Sequence, residues 1–448
     1  MSKTPSLDSI STKQERIAEL SRQVPKMAFT NLAHYIDVDF LREAFRQTRR
    51  NGAPGVDGKT WDDYEKDLET NLASLLNRFK SGRYEAPPVR RQHIPKGSGS
   101  DTRPIGIPTI EDKLLQRAVK MILEHIYEQD FHRFSHGFRC GYSAHGALKS
   151  IREQAMSMSG GWVIDLDIKG FFDALVHQHL RDFLDIRVRD GVIRRVIGKW
   201  LKAGVMESGE LSFSESGTPQ GGVISPLLAN VYLHHVLDDW FLTEVQPRLR
   251  GQSFMVRYAD DVVIFVEHET EAHRMMEVLP KRLGRFGLTM HPTKTRLVPF
   301  SKPPFRQRAK GKDDDAGPKS PETFDFLGFT HYWGRTRKGG WAIKRKTAKD
   351  RFQRSLTDLN DWCRTHRHWS IAAQHAKLTQ KLKGHCGYFG ITGNSRRLSA
   401  LGFCSASIWR KWLNRRSQRK SMPWGRFYKL LERYPLPKMR AVHSVLIT

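Results

Sequence analysis

The chain has 448 residues, 39% of them hydrophobic and 10% aromatic, which excludes a disordered chain and allows two or three domains with apolar cores. Lys and Arg number 75 against 47 Asp and Glu, a formal charge of +28 and a pI near 10.1, so the expected partner is a polyanion, nucleic acid first. No apolar run approaches the ~20 residues of a membrane span, and the first residues lack a signal-peptide core; an intracellular protein with no membrane partner is expected.

The four cysteines, Cys140, Cys363, Cys386 and Cys404, form no Cys-x-x-Cys pair, so neither a disulfide framework nor a zinc ribbon is indicated. From Arg335 to Thr448 there are 27 Lys or Arg against four Asp or Glu, a net +23. Nearly all of the basic excess therefore sits in the last quarter of the chain.

In chain order, Met1 to about Lys26 is polar and predicts a helix or a loose arm, and a helical pattern over Phe40 to Arg49 stops at the turn-rich run Asn51-Gly-Ala-Pro-Gly-Val-Asp-Gly58. Trp61 to Phe79 reads as one helix with Tyr64, Leu68, Leu72, Leu75 and Leu76 on one side. Pro87 to Pro108 predicts two strands around a Gly/Ser turn, with Lys96 and Arg103 on either side of it. Such a hairpin could close over an anion such as a triphosphate, while taken alone it reads first as a solvated basic surface. Leu114 to Tyr127 predicts a helix, and the polar loop Ser135-His-Gly-Phe-Arg139 follows it without a readable role.

Trp162-Val-Ile-Asp165-Leu-Asp167 is an apolar strand bearing two acids on one face, because strand side chains alternate with period two. Ser216 to Leu233 joins a glycine-rich turn, Gly217-Thr-Pro-Gln220-Gly221-Gly222, to a helix starting near Ser225 with Pro226 in its first turn. Phe254 to Val266 then gives two short strands around Ala259-Asp260-Asp261. Adjacent carboxylates repel and cannot be buried without a partner. An exposed hairpin tip is one explanation, since Asp is common in turns; a divalent cation is the other. With the acid-bearing strand beside it, such a hairpin can hold two hydrated Mg²⁺ ions, the arrangement that clamps attacking and leaving oxygens in nucleotidyl transfer.

Phe286 to Arg296 is turn-rich and carries Lys294; Ser301 to Glu322, with Asp313-Asp-Asp315, reads as a flexible insertion; Phe324 to Phe329 reads as one short strand. The tail predicts helices over Arg351 to Thr365, Ile371 to Lys383 and Ser395 to about Ser417. Its tryptophans 362, 369, 409, 412 and 424 are interleaved with cations. Aromatics among cations suit stacked bases and phosphates, whereas tryptophans packed between helices are the structural alternative.

The ordered set of an acid-bearing strand, Thr218-Pro-Gln-Gly221, Tyr258-Ala-Asp-Asp261, a segment with Lys294, and Phe326-Leu-Gly-Phe329 resembles the reverse transcriptases of bacterial group II introns, intron-encoded proteins with maturase activity. The resemblance runs from Asn51 nearly to the end. It implies an α+β fold: right-hand polymerase fingers and palm, an antiparallel sheet with packed helices, followed by an α-helical thumb/maturase domain. The implied division is an N-terminal extension over 1–80 with a template-contacting loop, fingers and palm over 81–335 with the insertion at 301–322, and a basic helical domain over 336–448.

By position, the resemblance makes Asp167, Asp260 and Asp261 the catalytic carboxylates that hold two Mg²⁺. Asp167 is preferred to Asp165 because it lies five residues before Phe172, the aromatic that would obstruct a ribonucleotide 2′-hydroxyl. It gives Gln220 a contact to the incoming nucleotide, Lys96 and Arg103 its triphosphate, Lys294 a proton for the leaving pyrophosphate, and Phe326, Leu327, Gly328 and Phe329 the primer grip. Arg410, Lys411, Arg415, Arg416, Arg419 and Lys420 are the expected RNA-binding cations. Implied partners are group II intron RNA, an RNA template with a DNA primer, and dNTP, in the bacterial cytoplasm and at the nucleoid. No His- and Cys-rich endonuclease domain follows the tail, so second-strand cleavage is not expected. The competing readings are a non-catalytic RNA-binding splicing factor and a domesticated host-defence reverse transcriptase.

Overall fold

A computed structural model describes residues 7–95, 102–158, 160–207, 209–212, 217, 221–303, 322–336, 338–417 and 421–444. Lys96, Gln220, Arg419, Lys420 and most of the 301–322 insertion lie outside the described residues. Among those described, eleven strands form three sheets. The first, with order β2-β1-β4-β5, contains β1 (Val89–Pro95), β2 (Thr102–Ile107), β4 (Val205–Glu207) and β5 (Glu210–Ser212). It is mixed, since β1 and β4 run parallel. The second, order β6-β7-β3-β8, is wholly antiparallel and contains β3 (Trp162–Leu166), β6 (Ser253–Tyr258), β7 (Asp261–Val266) and β8 (Arg296–Pro299). The third is β9 (Phe324–Phe326), β10 (Phe329–Arg335) and β11 (Trp341–Thr347). The expected division at residue 335 falls between β10 and β11, which are paired along their whole length.

The central sheet is covered on both faces, and its alternation decides what each residue meets. On β7, Val262, Ile264 and Val266 enter the large core with the helices Ile110–Asp130 and Glu269–Gly284; Val263 and Phe265 enter a second core with Val163, Phe300, Phe324 and Phe329. That is why β7 reads as a continuous apolar run. Asp165 and the residue two further on, Asp167, share the face of Val163, so the acids project on the side where the third sheet lies.

The predicted helix from Trp61 is two helices, Trp61–Glu65 and Leu68–Lys80. Asp67 leaves helical geometry at φ −121°, ψ 39°, and the Asn71 side chain donates to the freed Tyr64 carbonyl at 3.1 Å. The predicted strand Phe324 to Phe329 is a hairpin, with Leu327 (φ 49°) and Gly328 (φ 78°) as its two central residues. The apolar run hid this turn, because a leucine in the left-handed region has no local signature. The helix at Ser225 does begin there, as Ser225–Leu233 with Pro226 in its first turn.

Four helices close the chain: Lys349–Thr365, Ile371–Phe389, Ser395–Asn414 and Trp424–Arg433. Trp409 and Trp412 are core residues here, with ring N–H groups donating to Gln374 Oε1 and Asn360 Oδ1, each at 2.9 Å. They are unavailable for stacking on bases, whereas Trp369 and Trp424 remain exposed. No helix of the described residues is long and apolar enough to cross a membrane.

Candidate active site

The β6–β7 hairpin closes on the pair Tyr258 and Asp261, leaving Ala259 and Asp260 as its two-residue turn. Ala259 has φ 56°, a conformation that costs a non-glycine residue about 1–3 kcal/mol and persists only where surroundings impose it. Those surroundings start at Arg257, which is completely buried. Its guanidinium donates to Asp238 Oδ1 at 2.8 Å, makes a second bond to Asp238 Oδ2, and donates to Asn230 Oδ1 at 2.9 Å and the Ala259 carbonyl at 3.1 Å. Asn230 in turn donates to the Gly137 carbonyl at 2.7 Å. A Cβ at Gly137 would stand 2.2 Å from the Ala259 nitrogen, so only glycine lets this loop lie against the turn. The loop Ser135-His-Gly-Phe-Arg139, mute in the sequence, is therefore the buttress of the acidic hairpin.

The β3–β7 ladder ends with Leu166 opposite Val262, so Asp167 follows one strand at the end where Asp261 begins the other, and the two carboxyls sense each other's charge. The Asp167 backbone is pinned by the segment that carries Lys294: its carbonyl accepts from the His291 N–H at 2.8 Å and from Thr295 Oγ1 at 3.2 Å. Lys294 Nζ stands 3.7 Å from Asp167 Oδ2. Asp165 is engaged differently, by Arg296 Nη2 at 3.0 Å.

Asp165, Asp167 and Asp261 line a cleft of about 910 Å³ together with Lys294, Phe326, Leu327, Gly328 and, from the tail helices, Arg351, Arg354 and Tyr388. Asp260 is not among the lining residues, yet its carboxyl senses the charges of Asp167 and Arg103. The acids are crowded. Asp261 opens to solvent at the cleft, yet the protein packed around it and then the charges of Asp260, Asp167 and Asp165 push it up to about 6. Burial also raises Asp260, opposed by its own backbone N–H and by Arg103, and raises Asp165 despite Arg296.

Of the other sequence-predicted residues that are described, Phe326, Leu327, Gly328 and Lys294 line the cleft, while Arg103, Phe172 and Phe329 are not among its lining residues. Arg103 on β2 pairs with Ile94 on β1. Phe172 is the second residue of the short helix Phe171–Ala174, half-buried beside Phe171. Residues 218–220 are not described, but the glycines bracketing them are. Gly217 packs against Phe172 and Asp173, and a Cβ on Gly221 would stand 2.4 Å from the Gly106 carbonyl of β2. The Phe326 to Phe329 hairpin is held by Tyr388, whose hydroxyl donates to the Leu327 carbonyl at 2.9 Å, and by the Ala348 N–H, which donates to the Gly328 carbonyl at 3.0 Å.

Away from the cleft, Lys411 and Arg415 are exposed beside Trp412. Arg410 is spent on internal contacts, donating to the Met422 carbonyl and lying 4.2 Å over the Trp424 ring, and Arg416 donates to the carbonyls of Arg367 and Trp369. Arg257, Asp238, Gly137, Arg351 and Tyr388 were not singled out from the sequence. Only the unexplained polar loop around Gly137 hinted at any of them.

A family profile described as reverse transcriptase (RNA-dependent DNA polymerase) matches residues 94–331. The group II intron-encoded protein LtrA of Lactococcus lactis subsp. cremoris is 38% identical over 242 residues, 53% of this chain and 39% of that protein. Protein YkfC of Escherichia coli (strain K12) is 34% identical over 290 residues, 58% of this chain and 76% of its own length. Nuclear intron maturase 4, mitochondrial, of Arabidopsis thaliana is 29% identical over 146 residues, covering 32% of this chain and 18% of that protein. The match thus spans about two fifths of the Lactococcus protein. With the profile covering more than half of the chain and an acidic hairpin set against an acid-bearing strand, the chain belongs to the reverse transcriptase (RNA-dependent DNA polymerase) family and is a relative of group II intron-encoded proteins.

Proposed function

We propose that this chain is an RNA-directed DNA polymerase of the group II intron type, copying RNA into cDNA and binding intron RNA to assist splicing and mobility. The observation that carries this reading is the cleft that Asp167 and Asp261 line together, beside Asp260 at the turn. The donor set is all carboxylate oxygen, mutually repelling, with a lysine ammonium drawn to Asp167. It fits Mg²⁺, which takes carboxylates, waters and substrate phosphates. Two such ions held by Asp167, Asp260 and Asp261 would stabilise the charge that develops as the primer 3′-oxygen attacks the α-phosphate.

The chain's own side chains do the rest. Arg103, with Lys96, holds the triphosphate; Phe172 excludes a 2′-hydroxyl; Gln220 contacts the nucleotide; Lys294 donates a proton to the departing pyrophosphate. The hairpin Phe326 to Phe329 positions the primer end. The charge of +23 from Arg335 onward supports a second role in binding intron RNA, in keeping with the intron-encoded and maturase names of the relatives.

Primer extension by the purified chain on an RNA template with a DNA primer tests the proposal. The expected product is cDNA that depends on both dNTP and Mg²⁺. Tight RNA binding without any extension would instead leave the splicing-factor reading standing.

A pH dependence follows from Asp261. Its folded pKa of about 6 exceeds the ordinary 3.8, so without metal its contribution favours the fold below about 4 and is lost as pH rises through about 6. A cation competes with the same proton. Mg²⁺ affinity measured by calorimetry is therefore expected to fall steeply below pH ~6, and an affinity flat through that range would contradict the site.

A further inference from the structure

We infer that this chain carries a zinc site outside the polymerase cleft, formed by His132, His234 and Asp239. One ligand atom from each of the three lies within 4.8 Å of the other two. His132 Nε2 is 2.7 Å from Asp239 Oδ1, and His234 Nε2 is 3.5 Å from Asp239 Oδ2. Ligand atoms around a tetrahedral zinc stand ~3.3 Å apart, so the three need close by no more than ~1.5 Å. His235 Nδ1 stands a further 3.3 Å from Asp239 Oδ2.

The backbone is bent to make this cluster. The helix Ser225–Leu233 continues into a π-helical turn over His234–Asp238 and a second over Phe241–Val245. In a π turn, residues five apart share a face, which brings His234 onto Asp239; an α-helix would bring only His235, four residues away. Single π turns are rare and concentrate at functional sites.

A plain hydrogen-bonded network is the competing explanation, and it accounts for His132, whose Nε2 is at hydrogen-bond distance from Asp239. It accounts less well for His234, which is 5% exposed and whose Nε2 stands 3.5 Å from Asp239 Oδ2, long for a hydrogen bond and open to a cation between the two.

The chemistry of the donors selects the ion. Two imidazoles and one carboxylate suit Zn²⁺, with water in the fourth position, whereas Mg²⁺ takes oxygen ligands. The site is therefore chemically separate from the acidic cleft. It sits where it can tie the loop after Asp130 to the helix that carries Asp238 and Asn230, the residues that hold Arg257 and through it the Ala259-Asp260 turn. A zinc held there would clamp together the loop and the helix that buttress the hairpin, its fourth position left to water.

The test uses the full chain, stripped with chelator and titrated with Zn²⁺ against a chromophoric competitor in excess Mg²⁺. One tight equivalent is expected, with a rise of a few degrees in the unfolding midpoint. His132→Gln and Asp239→Asn should each weaken it at least ~10–100-fold, while His273→Gln, an exposed histidine elsewhere, should not. Co²⁺ should give a visible absorption spectrum in the parent chain that both ligand variants lose. Unfolding midpoints of the metal-free variants, compared with the metal-free parent, separate lost binding from lost folding. Absence of a tight equivalent in the parent chain overturns the site, as does unchanged zinc affinity in both ligand variants.

Discussion

Asp260→Asn is expected to reduce cDNA synthesis at least ~10³-fold, about 4 kcal/mol of transition-state stabilisation, with RNA affinity left where it was. The substitution keeps the shape of the turn residue and removes only its charge, beside Asp167 and opposite the pull of Arg103. In the proposed two-ion site, loss of a carboxylate removes charge that matters most as the α-phosphate becomes more negative. RNA affinity rests on phosphates meeting Lys and Arg, and the bulk of those lie from Arg335 onward. Single-turnover extension and filter binding on the same preparations separate the two quantities. Asp182→Asn, an exposed carboxylate outside the cleft, serves as the control and should extend normally. Extension by the Asp260 variant within a few fold of the parent would remove the hairpin from the chemistry.

The second large effect is expected at a residue that touches neither substrate nor ion. Arg257 and Asp238 are both fully buried and doubly bonded to each other. Asp238→Ala strands a guanidinium in the core, and breaking a buried pair from one side costs about 3–5 kcal/mol. The denaturation midpoint should fall accordingly. Replacing both members with apolar residues of similar volume, Arg257→Met with Asp238→Leu, should recover most of that stability, because the uncompensated charge is gone. It should not recover extension. The double variant lacks the Arg257 donor to the Ala259 carbonyl and to Asn230, so the strained turn loses its template. Recovery of both stability and activity would reduce Arg257 to a packing residue.

Much of the candidate site is legible in the residues themselves, and for local reasons. Asp165 and Asp167 share a face because strands alternate, and Ala259-Asp260 is a turn because polar residues interrupt two apolar runs. Local rules are silent elsewhere, and there the expectation differs from the fold. Leu327 turns in the left-handed region inside an apolar stretch, so a hairpin passes for a strand. Asp67 breaks a helix whose apolar face continues across the break. Tryptophans among cations suggest stacked bases, but Trp409 and Trp412 are among the apolar contacts holding the last helices together.

By itself the sequence determined the basic tail, the order of the acid-bearing segments and most helices, since charge, side-chain period and turn chemistry are written into neighbouring residues. Tertiary structure alone decided what holds the acidic turn and the Phe326 to Phe329 hairpin in place. Asn230 reaches Gly137 across 93 residues and Tyr388 reaches Leu327 across 61. No periodicity spans such distances; these partners meet only because the central sheet packs on both faces and brings remote loops to the same end of its strands.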